Sequence, residues 1–96
     1  MDLKTIYDKK SQFASRYVGK ELILVPIRTK VTDMNEMFTL NEVGSFIWEQ
    51  IDGAHTEADI IKAVVDEFDV DEAKAGEDVT GFIVRLEEKM AKLITG

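Results

Sequence analysis

The chain has 96 residues, of which 45% are hydrophobic, and a chain of this length forms one domain with one modest core. Its 19 acidic and 12 basic residues give a net charge of -7, which disfavours binding to phosphate backbones and to anionic membranes. It contains no cysteine, so this chain can supply neither disulfides nor cysteine ligands for zinc or iron–sulfur clusters, nor a cysteine nucleophile.

Residues 1–12 are polar with a few isolated apolar side chains. They predict either a flexible leading segment or a short helix, and they lack the apolar run of a signal peptide. No segment reaches the roughly 20 apolar residues that a membrane-spanning helix needs. We therefore expect residues 13–96 to form a single domain in a reducing cytoplasm.

A β-hairpin is predicted between Phe13 and Ile27. Its strands cover residues 15–18 and 21–27, and Gly19 supplies the positive φ of the turn. Pro26 lacks an amide hydrogen and therefore belongs near the end of its strand. Residues 28–36 are polar and predict a surface loop, and a third short strand is expected from Met37 to Leu40.

Three amphipathic helices follow. Asn41 is expected to cap the first, which starts at about Glu42 and stops near Asp52 because Gly53 can adopt the left-handed conformation. Thr56 and Asp71 are expected to cap the other two. Apolar residues recur at three- and four-residue steps in all three helices: Val43, Ile47, Ile51; Ile60, Ile61, Val64, Val65, Phe68; Val79, Phe82, Ile83, Leu86, Met90. This order of elements predicts an α+β, winged-helix-like domain in which a three-stranded antiparallel sheet precedes a three-helix bundle.

The sequence offers no catalytic constellation. His55 is the single histidine and falls in a predicted turn, where a surface role is favoured over that of a base or ligand. A calcium loop starting at Asp69 would need an oxygen ligand, a glycine and a glutamate where this chain has Ala73, Lys74 and Thr80. We expect neither an enzyme, nor a bound metal, nor a cofactor.

Several short motifs carry a family resemblance. They are Leu40-Asn41-Glu42-x-Gly44, Ile47-Trp48-Glu49, Asp52-Gly53 and Thr56, with Arg16-x-Val18-Gly19 and Leu24-Val25-Pro26 upstream and Phe68 followed by Asp69-Val70-Asp71 downstream. In order and spacing they resemble the pyrroloquinoline quinone synthesis protein D (PqqD) family, the recognition elements of ribosomally made, post-translationally modified peptides. The match spans residues 13–94. It departs from the family pattern at residues 91–94, where Ala-Lys-Leu-Ile replaces an expected Gly-Leu-Ile ending.

The resemblance implies a non-catalytic peptide chaperone with the same fold. Such a protein binds the leader of a precursor peptide by adding it as a strand beside the third strand, against the third helix, and presents it to a modifying enzyme, often a radical S-adenosylmethionine (SAM) protein. The implied peptide-binding residues are Met37, Phe38, Thr39, Leu40, Val79, Phe82, Ile83, Arg85 and Leu86. Phe38, Leu40 and most of the apolar helix residues are more typical of a core than of a ligand contact. The stronger candidates for direct contact are therefore the strand backbone and the side chains of Met37, Thr39, Phe82 and Arg85.

Two other features leave alternatives open. Residues 1–31 carry seven basic and three acidic side chains, which are either solvated or help to attract an acidic peptide. Trp48 is either a buried aromatic, the favoured interpretation, or a docking residue for a partner.

The competing functions are a winged-helix DNA-binding regulator and an accessory docking subunit of a modifying enzyme. Residues 71–93 contain six acidic and four basic side chains, the wrong sign for a DNA groove. We therefore expect a peptide and an enzyme as partners, neither nucleic acid nor membrane, and a monomer or weak dimer.

Overall fold

The computed structural model describes residues 3–27 and 38–94. In these ranges it contains four helices and three strands: α1 (Leu3–Lys10), β1 (Phe13–Val18), β2 (Glu21–Pro26), β3 (Phe38–Leu40), α2 (Glu42–Gln50), α3 (Glu57–Phe68) and α4 (Glu72–Ile94). The α+β fold class is confirmed. The predicted loop 28–36 and Met37 lie outside the described residues.

The strands form one antiparallel sheet in the order β1-β2-β3. Gly19 has φ +63° at the β1–β2 turn, as the sequence predicts, and Pro26 is the last residue of β2. Leu22 and Leu24 are buried on the face of the sheet that meets the helices. Residues on the other face alternate with them and are exposed or half-buried, as expected for a sheet that is covered on one side.

Caps define the three helices that follow the sheet. The side chain of Asn41 accepts a hydrogen bond from the Gly44 amide (2.8 Å), and the side chain of Asp71 accepts one from the Lys74 amide (2.7 Å). Thr56 and Asp59 form a complete capping box at the start of α3. All three predicted caps are confirmed.

The first of these helices is shorter than predicted. It ends at Gln50, with Ile51 as its C-cap, and Gly53 adopts its positive φ of +86° in the turn beyond. Gly53 also packs against α1, because a Cβ atom at Gly53 would lie 3.1 Å from Cε2 of Tyr7. Gly53 therefore marks a close approach between two segments in addition to a turn.

The helix α1 adds a fourth helix to the three that periodicity predicts. Its Ile6 is fully buried in the core. Lys10 donates hydrogen bonds to the carbonyl oxygens of Trp48 (2.7 Å) and Ile51 (2.9 Å), and its Nζ lies 5.0 Å from the Trp48 ring centroid. The lysine thereby adds a donor to the Trp48 carbonyl, which also accepts the Ile51 amide hydrogen (3.2 Å), and provides one for the Ile51 carbonyl at the end of α2.

One core joins all the layers. Its buried apolar residues are Ile6, Phe13, Leu22, Leu24, Leu40, Ile47, Trp48, Ile51, Ile60, Val64, Ala75, Val79, Phe82, Ile83 and Leu86. Trp48 packs edge-on against Phe13, with ring centroids 6.1 Å apart, so its prediction as a buried aromatic is confirmed. Within the described ranges, no helix has the length and apolar character needed to cross a lipid bilayer.

Candidate functional site

The strand β3 is the outer strand on one side of the sheet. Its register against β2 pairs Leu40 with Leu22, Thr39 with Ile23 and Phe38 with Leu24. In the described part of the chain no strand pairs with the other side of β3. Alternate residues of an edge strand direct their amide and carbonyl groups away from the sheet, where an extended peptide can pair with them.

Alternation along β3 separates its side chains into two groups. Leu40 is buried with Leu22 in the core, whereas Thr39 is exposed on the opposite face of the sheet. The structure therefore places Leu40 as a core residue and leaves Thr39 accessible, in agreement with the face assignment from the sequence.

The end of β3 is locked to α2 and α4 through Gly44. A Cβ atom at this position would lie 3.2 Å from Cε1 of Phe82, 3.3 Å from Oδ1 of Asn41 and 3.4 Å from Cβ of Leu40. Glycine thus allows the first turn of α2 to approach both the strand and the last helix. The relative position of β3 and α4 depends on this contact.

A surface depression of about 350 Å³ opens directly beyond the end of β3, between α2 and α4. Its lining combines an apolar floor with a charged rim: Asn41, Val43, Gly44, Ile47, Val70, Lys74, Asp78, Phe82 and Arg85. The Lys74 ammonium pairs with the Asp78 carboxylate at 3.2 Å. Arg85 is exposed and, among the described side chains, makes no ion pair, so its guanidinium is available to an incoming carboxylate.

The candidate contacts on α4 do not share one face. Phe82 and Arg85 both line the depression beside β3. Val79 and Leu86 are buried in the core. Ile83 borders a different depression, with Leu3 of α1 and with the α2–α3 turn. The structure therefore brings Phe82 and Arg85 together with the end of β3 and separates Ile83 from them.

Seven residues of this depression are not among the peptide contacts that the sequence predicts. The sequence predicts Asn41 only as a helix cap and Val43 and Ile47 only as members of an apolar stripe, and it predicts no contact for Gly44, Val70, Lys74 or Asp78. The signal for two of them was present, because Lys74, Asp78 and Phe82 recur at four-residue steps on the margin of the apolar stripe of α4. Nothing in the sequence placed that margin against the start of α2.

The basic residues of the sheet half are spread out. Arg16 lies opposite Ile23 on the outer face of the sheet. Lys20 Nζ lies 3.5 Å from Oε1 of Glu42 at the start of α2. Both are exposed. Arg28 and Lys30 belong to the same basic set of residues 1–31, and they lie outside the described residues.

The turn between α2 and α3 holds His55 at the surface, as predicted. Its Nδ1 lies 2.9 Å from Oδ1 of Asp52. Amide hydrogen bonds from Ala54 and His55, together with the His55 ring, lower the pKa of Asp52 to about 2. This arrangement stiffens a turn. Among the described residues, no group of three acidic or histidine side chains is placed to hold a metal ion.

The open strand edge, the covered sheet and the long last helix define a small α+β domain of the winged-helix-like type. The family model described as coenzyme PQQ synthesis protein D (PqqD) matches residues 21–90, well over half of the sequence. The chain therefore belongs to the PqqD family, and the resemblance drawn from its motifs is confirmed.

A solved structure supports the same relationship. The chain is similar to a protein described as "TbiB1 in Complex with the TbiA(beta) Leader Peptide", with 26% sequence identity and a TM-score of 0.66. The similarity covers 81% of this chain and 85% of that one. A comparison with curated protein sequences gave no significant match.

Proposed function

We propose that this chain is a peptide-recognition protein that binds the leader of a ribosomally made precursor peptide by strand addition along β3. The observation that carries the proposal is the edge of β3, whose outer side has no strand partner among the described residues and ends at an apolar depression. Main-chain hydrogen bonds along the edge would provide affinity, and the depression would select a side chain of the peptide.

Two further findings support this function. The chain belongs to the PqqD family, and the similar TbiB1 structure is a complex with a leader peptide. The proposed contacts are the backbone of residues 37–40, the exposed side chain of Thr39, and Phe82 and Arg85 of α4. Val79, Ile83 and Leu86 would support the site mainly as core residues, since each is already buried without a peptide.

The proposed role involves no bond-making by this chain. It would hold the leader so that the rest of the precursor is presented to a modifying enzyme at high effective concentration. The resemblance of the sequence to peptide recognition elements favours a radical SAM protein as that enzyme. The exposed cation Arg85 at the rim of the depression favours a leader that carries an acidic residue beside a large apolar one.

Backbone NMR tests the proposal directly. The ¹⁵N-labelled chain is titrated with leader segments of candidate precursor peptides, which are sought among the small reading frames near its gene. We expect amide shifts concentrated at residues 38–40 and in α4, together with slowed hydrogen exchange of the amides of β3 that point away from β2. Shifts confined to α1, α3 or the outer face of the sheet would contradict strand addition.

The peptide itself provides the matched control. N-methylation removes one amide hydrogen at a time, and a peptide added as a strand directs only alternate amides toward the protein. We expect N-methylation to abolish binding at every second position and to leave the intervening positions nearly unchanged. Equal effects at all positions, or none, would exclude pairing with the edge of β3.

A further inference from the structure

A second groove lies between α3 and the start of α4. It measures about 400 Å³ and is lined by Ala58, Ile61, Lys62, Val65, Asp66 and Glu72. Ile61 and Val65 form its apolar floor, because both are only half-buried against the core. We call these six residues the α3–α4 groove.

This groove lies on the other side of α4 from the proposed peptide site. Gly76 faces α3, since a Cβ atom there would lie 4.0 Å from Cδ1 of Ile61. Lys74, two residues earlier, lines the depression beside β3. Two residues correspond to about 200° around an α-helix, so the two surfaces are nearly opposite. A ligand in one leaves the other open.

Two carboxylates, Asp66 and Glu72, and one lysine, Lys62, line the α3–α4 groove. The segment that supplies both of its walls is strongly acidic, although some of its carboxylates, such as Asp78, face other surfaces. Residues 57–78 contain nine carboxylates and only two lysines, a net charge of -7 that equals the net charge of the whole chain. The carboxylates are Glu57, Asp59, Asp66, Glu67, Asp69, Asp71, Glu72, Glu77 and Asp78. Of the two lysines, Lys74 is already paired with Asp78.

The fold explains only some of these charges. Asp59 and Asp71 cap helices, and Glu57 and Glu72 lie favourably in first turns. Asp66 belongs to the C-terminal part of α3, whose last turn contains no basic residue, and there a carboxylate opposes the helix dipole. Self-repulsion among like charges also works against the compact state. Such an arrangement is stabilised when a cationic partner covers it.

Gly76 provides an independent observation. An alanine Cβ would make an ordinary contact with Ile61 at this position, so packing does not require glycine. Glycine in the interior of a helix nevertheless disfavours that helix relative to alanine. Its effect is to leave α4 without a side chain at the position that faces Ile61, which lines the groove.

We propose that the α3–α4 groove binds an amphipathic helix of a partner protein, with Lys or Arg residues flanking its apolar stripe. Apolar residues four positions apart would cover Ile61 and Val65, while the flanking cations would reach Asp66 and Glu72. This inference rests on the proposed function only where it identifies the partner, which would be the modifying enzyme. Peptide and enzyme would then occupy opposite sides of α4 simultaneously.

A display library of 18-residue amphipathic helical peptides tests this proposal with the intact chain as bait. We expect enrichment of sequences that combine an apolar stripe with flanking Lys or Arg, and binding that weakens as salt is raised. The double variant Asp66→Asn/Glu72→Gln is expected to weaken their binding by about ten-fold, since two exposed ion pairs are lost. Gly76→Leu adds a large side chain beside Ile61, which forms part of the apolar floor, and is expected to abolish binding.

The control is Asp8→Asn/Glu21→Gln, which makes the same change in net charge with two exposed residues outside the groove. It should leave the affinity almost unchanged. Enrichment without basic residues, or affinities that the groove variants do not alter while circular dichroism shows them folded, would overturn the proposal. So would displacement of the helical peptide by a leader peptide that pairs with β3.

The same variants separate this inference from the proposed function. Leader binding is measured on each of them by the shifts of residues 38–40. Loss of helical-peptide selectivity with intact leader binding rejects the α3–α4 groove alone. If the chain binds helical peptides in the groove but binds no leader peptide, the proposed function alone is rejected.

Discussion

Gly44 lies directly against the ring of Phe82. A Cβ atom at Gly44 would lie only 3.2 Å from Phe82 Cε1, which is a tight contact. The contact joins the first turn of α2, which follows β3 after a single residue, to the helix that forms the other wall of the proposed site. The packing of one glycine therefore sets the separation between the strand edge and α4.

Gly44→Ala is expected to lower the free energy of unfolding by about 1 kcal/mol, because the buried Phe82 ring and the Asn41 cap must both shift. Urea denaturation measures the change, and the affinity for the leader should fall with it. Gly76→Ala is the matched control, since its Cβ meets no atom closer than 4.0 Å and the helix gains propensity. A stabilised Gly44→Ala variant would show that the contact is not restrictive.

Substitutions of Phe82 and Ile83 test whether only one side of α4 contacts the leader peptide. Ile83→Val should lower the free energy of unfolding by about 1 kcal/mol and leave leader binding unchanged, because Ile83 borders the depression beside α1. Phe82→Leu should weaken both stability and binding, because Phe82 also lines the depression beside β3. Isothermal titration calorimetry and urea denaturation separate the two effects. Equal losses of affinity in both variants would remove Phe82 from the peptide site.

Arg85 is expected to contribute charge recognition. Arg85→Gln should weaken the binding of an acidic leader by roughly three- to five-fold, the value of one exposed ion pair, and should reduce the salt dependence of the affinity. Lys62→Gln makes the same charge change in the α3–α4 groove and should have little effect on the leader. Fluorescence anisotropy at several salt concentrations measures both. Identical salt dependence in the wild type and Arg85→Gln would contradict this role.

Lys10 is expected to hold α1 on the end of α2. Burial lowers the pKa of Lys10, and the charges of Glu49 and Asp52 only partly oppose this effect. Lys10→Met keeps the apolar stem but removes both hydrogen bonds to α2, so we expect the free energy of unfolding to fall by about 1–2 kcal/mol.

Thermal denaturation checks this loss, with Lys9→Met as a control that changes the same charge one residue away. If the two variants lose equal stability, the bonds to the carbonyls of Trp48 and Ile51 are not the cause.

The stability of the turn between α2 and α3 is expected to depend on the ionisation of Asp52 at low pH. Its pKa of about 2 in the folded chain lies below the ordinary 3.8, because the Ala54 amide and the His55 side chain and amide stabilise the carboxylate. A lowered folded-state pKa means that ionised Asp52 stabilises the turn above pH 3.8 and that this contribution is lost as the pH falls toward 2. Carboxyl ¹³C NMR should show a midpoint near the lower value. A midpoint at the ordinary value would show that the turn does not hold the carboxylate.

Much of this fold is predictable from the sequence because the interactions that define it join residues close to one another in the chain. Asn41, Thr56 and Asp71 are each followed by amphipathic periodicity, so helix starts are fixed by groups within three or four residues of one another. The hairpin around Gly19 is equally local. The early end of α2 and the helix α1 were not predictable in the same way. Both lie where segments distant in sequence contact each other, such as Tyr7 with Gly53 and Lys10 with Trp48, and such contacts leave no local pattern in the sequence.

The sequence by itself determined the fold class, the family and the absence of cysteine chemistry, because composition, caps and periodicity are properties of neighbouring residues. Only the tertiary structure decided which side of α4 each residue occupies. Phe82 and Ile83 are adjacent in the chain, yet they border different depressions, since successive helical residues point about 100° apart. Likewise, only the tertiary structure located the edge that a peptide could join. Among the described residues, β3 pairs with β2 on one side and with no strand on the other.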